Sequence, residues 1–212
     1  MIPEELAKIF EEYDYDDLKL YIRKVDFYSD IFTFNVEIKT DANGYQASLG
    51  EEWIVNVTGQ RENRISFDLA ADIDIKEDHP LLWKYTDLQC ELYFSGICAD
   101  PGKVFLDMYQ THYSLFRKYI PFETYLNSNS FNSLFKMAGG LLARGPKTLL
   151  LKYAESLNAQ GLDFSIIGER LPTYWDGNSF VPENRDLKVL FMSETSTYII
   201  GQSFDFIKQN KN

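Results

Sequence analysis

The residues able to do acid–base, nucleophilic or soft-metal chemistry are few: His79 and His112 are the only histidines, and Cys90 and Cys98 the only cysteines. A zinc site draws about four such ligands at characteristic spacings. These four residues match no finger or knuckle arrangement, so neither a metal nor a cofactor is expected. The Gly-x-Ser-x-Gly elbow and the His-Glu-x-x-His pair are absent, and no local pattern supplies a nucleophile for either histidine. His79 lies in Asp78-His79-Pro80-Leu81-Leu82-Trp83-Lys84-Tyr85. There a neighbouring carboxylate would orient the imidazole, and Trp83 and Tyr85 would wall a small-ligand pocket. Pro80 and the two leucines point instead to a loop that plugs one end of a sheet. His112 falls on the apolar stripe of a helix, where a hydrogen-bonded core histidine is the expectation. Cys90 belongs to the inward face of a strand, as a small apolar residue.

Three further patterns suggest chemistry. Gly140-Leu141-Leu142-Ala143-Arg144-Gly145-Pro146-Lys147-Thr148 looks like a phosphate loop with one residue too many. In such a loop consecutive backbone N–H groups cradle the phosphates and the lysine directly follows the last glycine, whereas Pro146 removes a donor and displaces Lys147. The preceding segment reads as helix, and Pro146 reads as the start of another helix. Asp68, Asp72, Asp74 and Asp78 share parity, so a continuous strand would carry them as an acidic stripe on its wet face. Paired carboxylates can hold a cation or act as acid and base, yet a solvated face balanced by Lys or Arg explains the same row. Trp175-Asp176-Gly177-Asn178 reads as a tight turn whose Asp and Gly serve the backbone, with Trp175 packed down.

Composition bounds the class. The chain has 212 residues, 45% hydrophobic and 16% aromatic, as expected of a globular protein with a substantial core. Its 21 basic and 32 acidic residues give a net charge of −11, which repels nucleic-acid phosphates and anionic membrane surfaces and suits a basic protein partner. The acidic start of the chain lacks a signal-peptide pattern and no apolar run reaches the length of a membrane span, so a cytoplasmic location is expected.

The elements follow from the periodicity. Leu6, Ile9, Phe10 and Tyr13 behind Pro3 predict a short amphipathic helix. Leu18, Leu20 and Ile22 alternate, and Val25 and Phe27 resume one step out of phase, predicting a bulge near Arg23 and Lys24. Strands are predicted at Phe32–Ile38, Trp53–Val57, Ile65–Ile75 and Leu88–Phe94, a meander with one wet face. Helical spacing follows from Pro101 to Phe116, in two short pieces between Phe122 and Met137, and from Pro146 to a stop at Gly161. Strands return at Leu162–Ile167, Leu187–Met192 and Tyr198–Ile200, around a turn-rich stretch from Pro172 to Arg185. The result is an α+β fold: a mainly antiparallel sheet, with about five strands in its first meander, and helices packed on one face. It is expected as one domain over 1–212, with any internal boundary placed near Ala99 to Gly102.

No motif names an activity. The general character, acidic and rich in tyrosine, resembles that of bacterial antitoxin or immunity proteins, without a shared motif. A non-enzymatic protein that binds a basic partner is therefore expected, through Asp14, Tyr15, Asp16, Asp17, Asp68, Asp72 and Asp74. The competing expectations are a small-ligand-binding protein or enzyme with a pocket at His79, Trp83 and Tyr85, and a structural component of a larger assembly.

Overall fold

A computed structural model describes residues 2–14, 17–28, 31–40, 47–127, 129–183, 185–193 and 195–209. The chain divides into two compact units: Met1–His79 with Arg185–Asn212, and Pro80–Asn184 inserted between them. The stretch from Ala99 to Gly102 lies inside the second unit, where it leads from a strand into a helix. The fold is α+β with antiparallel sheets.

In the first unit, helix α1 (Glu4–Glu12) precedes strands β1 (Leu18–Tyr28), β2 (Ile31–Thr40) and β3 (Ala47–Thr58), which pair as an antiparallel meander. The slip in β1 falls where the hydrophobic phase changes: Ile22 stands opposite Val36 and Lys24 opposite Asn35, leaving Arg23 as the extra residue. Short strands β4 (Glu62–Arg64) and β5 (Ile73–Lys76) follow. After the insertion, β11 (Lys188–Met192), β12 (Tyr198–Gly201) and β13 (Ser203–Gln209) complete the unit. The two sheets run β1-β2-β3-β13 and β4-β12-β11-β5.

The chain passes directly from one sheet to the other across Gly59 and Gln202, where the Gln202 amide donates to the Thr58 carbonyl at 2.9 Å. Gly59 makes this corner at φ +62, a conformation glycine adopts without strain. On the opposite side Leu20 and Ala70 exchange backbone bonds of 2.8 and 3.1 Å. The strands thus wrap around one core that includes Phe34, Val36, Val55, Val57, Leu190 and Ile199, with Leu6 of α1 laid against it. Each such side chain, fully buried, contributes roughly 1.5–3 kcal/mol.

The expected long strand at Ile65–Ile75 is broken. Only β5 pairs in a ladder; Ala70 and Ala71 are buried in succession, which ends the alternation. Ser66 and Asp68 close a local turn, and the Ser66 amide donates to Thr197 Oγ1 at 2.9 Å. Phe67, which a continuous strand would place on the face opposite the aspartates, is consequently 67% exposed. The aspartates at 68, 72 and 74 do not share one continuous strand.

The second unit is built on β6 (Gln89–Ser95), the middle strand of β7-β6-β8, with β7 at Gly139–Pro146 and β8 at Asp163–Arg170. Cys90, Leu92 and Phe94 are its buried residues. Helix α2 (Trp83–Thr86) precedes β6; α3 (Pro101–Phe116), α4 (Ser130–Lys136) and α5 (Lys147–Asn158) follow. Asp100 caps α3 by accepting from the Lys103 amide at 2.9 Å, with Pro101 in its first turn. Pro146 precedes α5, and Gly161, at φ +70, follows it. Strands β9 (Thr173–Trp175) and β10 (Phe180–Pro182) form a separate hairpin.

The segment before Pro146, read as helix from its sequence, is strand β7. It pairs with β6 on one edge, and on the other the Leu142 carbonyl accepts from the Asn127 amide while the Arg144 amide donates to the Tyr125 carbonyl, so it is not the loop of consecutive free amides that cradles a phosphate. Lys147 is held by Glu169 at 2.7 Å.

Candidate functional site

The acidic residues singled out in the sequence divide by what already holds them. The Asp14 carbonyl accepts from the Asp17 and Leu18 amides at 2.9 and 3.2 Å, a turn that feeds the chain from α1 into β1 and leaves the Asp14 side chain exposed. Asp17 is half-buried; Tyr15 and Asp16 lie outside the described residues. Asp68 is exposed and bonded to the Ser66 hydroxyl. The Asp72 amide donates to Ser193 Oγ at 3.0 Å, and the Asp72 carbonyl accepts from the Ser193 amide at 3.2 Å. Asp74 is paired with Lys76 of its own strand at 3.2 Å. The next acid along, Glu77, is paired with Lys188 of β11, which holds its carboxyl below the usual range, first through the hydrogen bond and then through the charge.

His79 ends the first part of the first unit, its ring 5.2 Å from that of Phe191 in β11. Trp83 and Tyr85 belong to the second unit, where Trp83 meets Phe116 edge-on at 6.3 Å and Lys84 lies over the Tyr85 ring at 5.3 Å. Neither unit by itself contains all three. Leu81 and Leu82 are buried within a 3-10 turn at Pro80–Leu82.

Both ring nitrogens of His112 are engaged. Its Nε2 lies 2.8 Å from the Ile120 carbonyl and its Nδ1 2.8 Å from the Tyr153 hydroxyl. A carbonyl can only accept, so Nε2 carries the proton and Nδ1 accepts from Tyr153. Phe116 and Phe122 stand at 4.7 and 5.6 Å. Burial pushes the imidazole below its ordinary pKa and the Tyr153 phenol far above its own. This arrangement locks the helix of His112 to that of Tyr153 and leaves the imidazole no free nitrogen for catalysis. Burial also raises the thiols of Cys90 and Cys98, away from nucleophilic character. Among the described residues, no three of His, Cys, Asp and Glu gather as a metal site.

What the molecule does present is exposed apolar surface. Trp175 does not pack down. It faces Phe180 across the β9–β10 hairpin, rings 5.3 Å apart, and the two are 57% and 71% exposed. The turn between them follows the expectation: Asp176 Oδ1 accepts from the Asn178 and Ser179 amides, both at 2.8 Å, and these bonds hold its carboxyl below the usual range. Phe164 and Ile167 of β8 and Leu171 after it are also exposed. The stretch Leu162–Ile167 reads from its sequence as a strand, and nothing there signals that it is a sheet edge. Comparison with family models, curated proteins and solved structures finds no match to this chain.

Charge is divided unevenly between the units. The first holds 22 acidic and 12 basic residues, a net −10; the second holds 10 and 9, a net −1. The exposed apolar residues are distributed the other way. Of seventeen large exposed hydrophobics among the described residues, twelve lie in the second unit. No described helix is long and apolar enough to cross a membrane.

Proposed function

We propose that this is a non-enzymatic interaction protein whose first unit captures a basic protein partner in the cytoplasm. The observation that carries the reading is the segregation of charge: nearly all of the net −11 resides in the unit that bears Asp14, Asp16, Asp17, Asp68, Asp72 and Asp74. A field concentrated on one unit steers a basic partner toward it and accelerates encounter, in a way that added salt suppresses. Lys76 and Lys188 neutralise Asp74 and Glu77 in part, so the exposed Asp14 and Asp68 carry more of the interaction than the β5 acids. The reading is supported also by His112, whose two ring nitrogens are both engaged, and by the raised thiols, which leave little material for catalysis.

The test is capture by the tagged protein, at low and moderate salt, beside a variant with Asp14, Asp16, Asp17, Asp68, Asp72 and Asp74 changed to Asn. A single basic protein held by the wild type, released by salt and lost in the variant, and then reconstituted with purified components, supports the reading. Undiminished binding by the variant removes it.

A further inference from the structure

We propose that two copies of this chain join through β8, strand to strand and antiparallel about a two-fold axis, merging their three-stranded sheets into one of six. Strand β8 is an edge, paired on one side with β6, and seven of its eight residues are exposed. An exposed edge strand with apolar side chains offers unpaired backbone groups to another strand. Phe164 and Ile167 are 43% and 49% exposed there.

The occupant follows from the register of β8 itself. Asp163, Ser165 and Ile167 stand opposite Ser95, Tyr93 and Glu91 of β6, on one face of the sheet. Between Ile167 and Arg170 the strand carries one extra residue, because Glu91 meets Ile167 while Gln89 meets Arg170. Gly168, at φ +72, provides that bulge. The bulge returns Arg170 to the face of Asp163, Ser165 and Ile167. A second β8 laid antiparallel with the axis at Ile166 then sets Asp163 against the second copy's Arg170 at both ends, and Ser165 against the second copy's Ile167.

Opposite charges directly across an antiparallel pair are stabilising, and the strand is thus complementary to itself. Among the described residues neither Asp163 nor Arg170 forms a close ion pair, since Glu91 is held by Arg144 and Glu169 by Lys147, each at 2.7 Å, and Arg170 acts on Glu91 only through its charge. The unit bearing β8 has a net charge of −1, so it adds little like-charge repulsion of its own to the contact.

The experiment is light scattering on the full chain across roughly a hundredfold range of concentration, with Asp163→Arg, Arg170→Asp and the double reversal. The wild type dimerises; each single reversal sets like charges together at both ends and weakens the dimer about tenfold or more, and the double reversal restores it. Ile167→Lys, at an exposed position, also weakens it, with circular dichroism confirming that every variant is folded. A wild type that stays monomeric throughout, a dimer indifferent to the single reversals, or a double reversal that remains as weak as the singles overturns the proposal.

Discussion

At the scale of single residues, the pair His112 and Tyr153 shows how a titratable group is made structural. The tautomer is fixed because Ile120 can only accept, and that choice makes Tyr153 the donor to Nδ1. Tyr153→Phe leaves a buried acceptor without its donor and is expected to cost about 1–3 kcal/mol, read as a lower denaturant midpoint with unchanged slope. The same geometry sets a pH dependence. The folded imidazole is depressed from its ordinary 6.5, burial outweighing the Ile120 bond and the attraction of Glu123. Below pH 6.5 the unfolded chain therefore takes up a proton that the folded chain resists. This contribution to stability is complete above 6.5 and declines as pH falls beneath it. Denaturation series at successive pH values check the slope, and His112→Phe should flatten it.

At the scale of elements, caps and corners come from distant parts of the chain. Helix α5 begins at Lys147 behind Pro146 with no cap from its own sequence; its Thr148 amide is accepted by Asp87 Oδ2 at 2.7 Å, while Asp87 Oδ1 accepts from the Leu88 amide at 2.8 Å. One carboxylate thus starts both a strand and a helix 61 residues away. Asp87→Ala is expected to destabilise the protein by about 0.5–2 kcal/mol in thermal or denaturant unfolding, with Asp87→Asn recovering part of the loss. The sequence marked α5 by its proline and stripe but offered no sign of Asp87, since a cap donated across the fold leaves no local spacing to read. The same limit governs the stretch Ile65–Ile75. Its parity matches a strand over eleven positions, but β4 and β5 are the two outer strands of one four-stranded sheet, so the chain must travel from one edge of that sheet to the other between them, and two adjacent alanines go inside on the way.

At the scale of the whole molecule, the second unit is an insertion between two strands that pair with each other. β5 and β11 are antiparallel neighbours, Lys76 opposite Val189 and Ile73 opposite Met192, as the two arms of a hairpin would be. The first unit carries its own core from both sides of the insertion. Replacing 80–184 with a turn of about four residues is expected to leave the first unit folded, checked by dispersed amide resonances and a cooperative melt. A chain that collapses without such dispersion would show that the insertion is required for the fold. The acidic charge travels with the first unit, so the proposed salt-sensitive binding should be retained there, and the proposed self-association through β8 should be lost with the second.

Read alone, the sequence specified the elements whose signals are local: α1, the bulged β1, β2, α3 behind Pro101, α5 between its proline and glycine, and the Asp176 turn. Periodicity, caps and turn residues act over a few positions, so they can be read there. It also determined the net acidity. Which strands share a sheet, that Pro80–Asn184 forms a unit apart, and how the charge divides between the units emerge from the three-dimensional fold. Only it decided that Trp175 and Phe180 stand in solvent and β8 at an edge, because alternation states that a strand has two faces and not what covers them. Pairing across long separations depends on the ladder closing around a common core, and that information is distributed over residues that no single window contains.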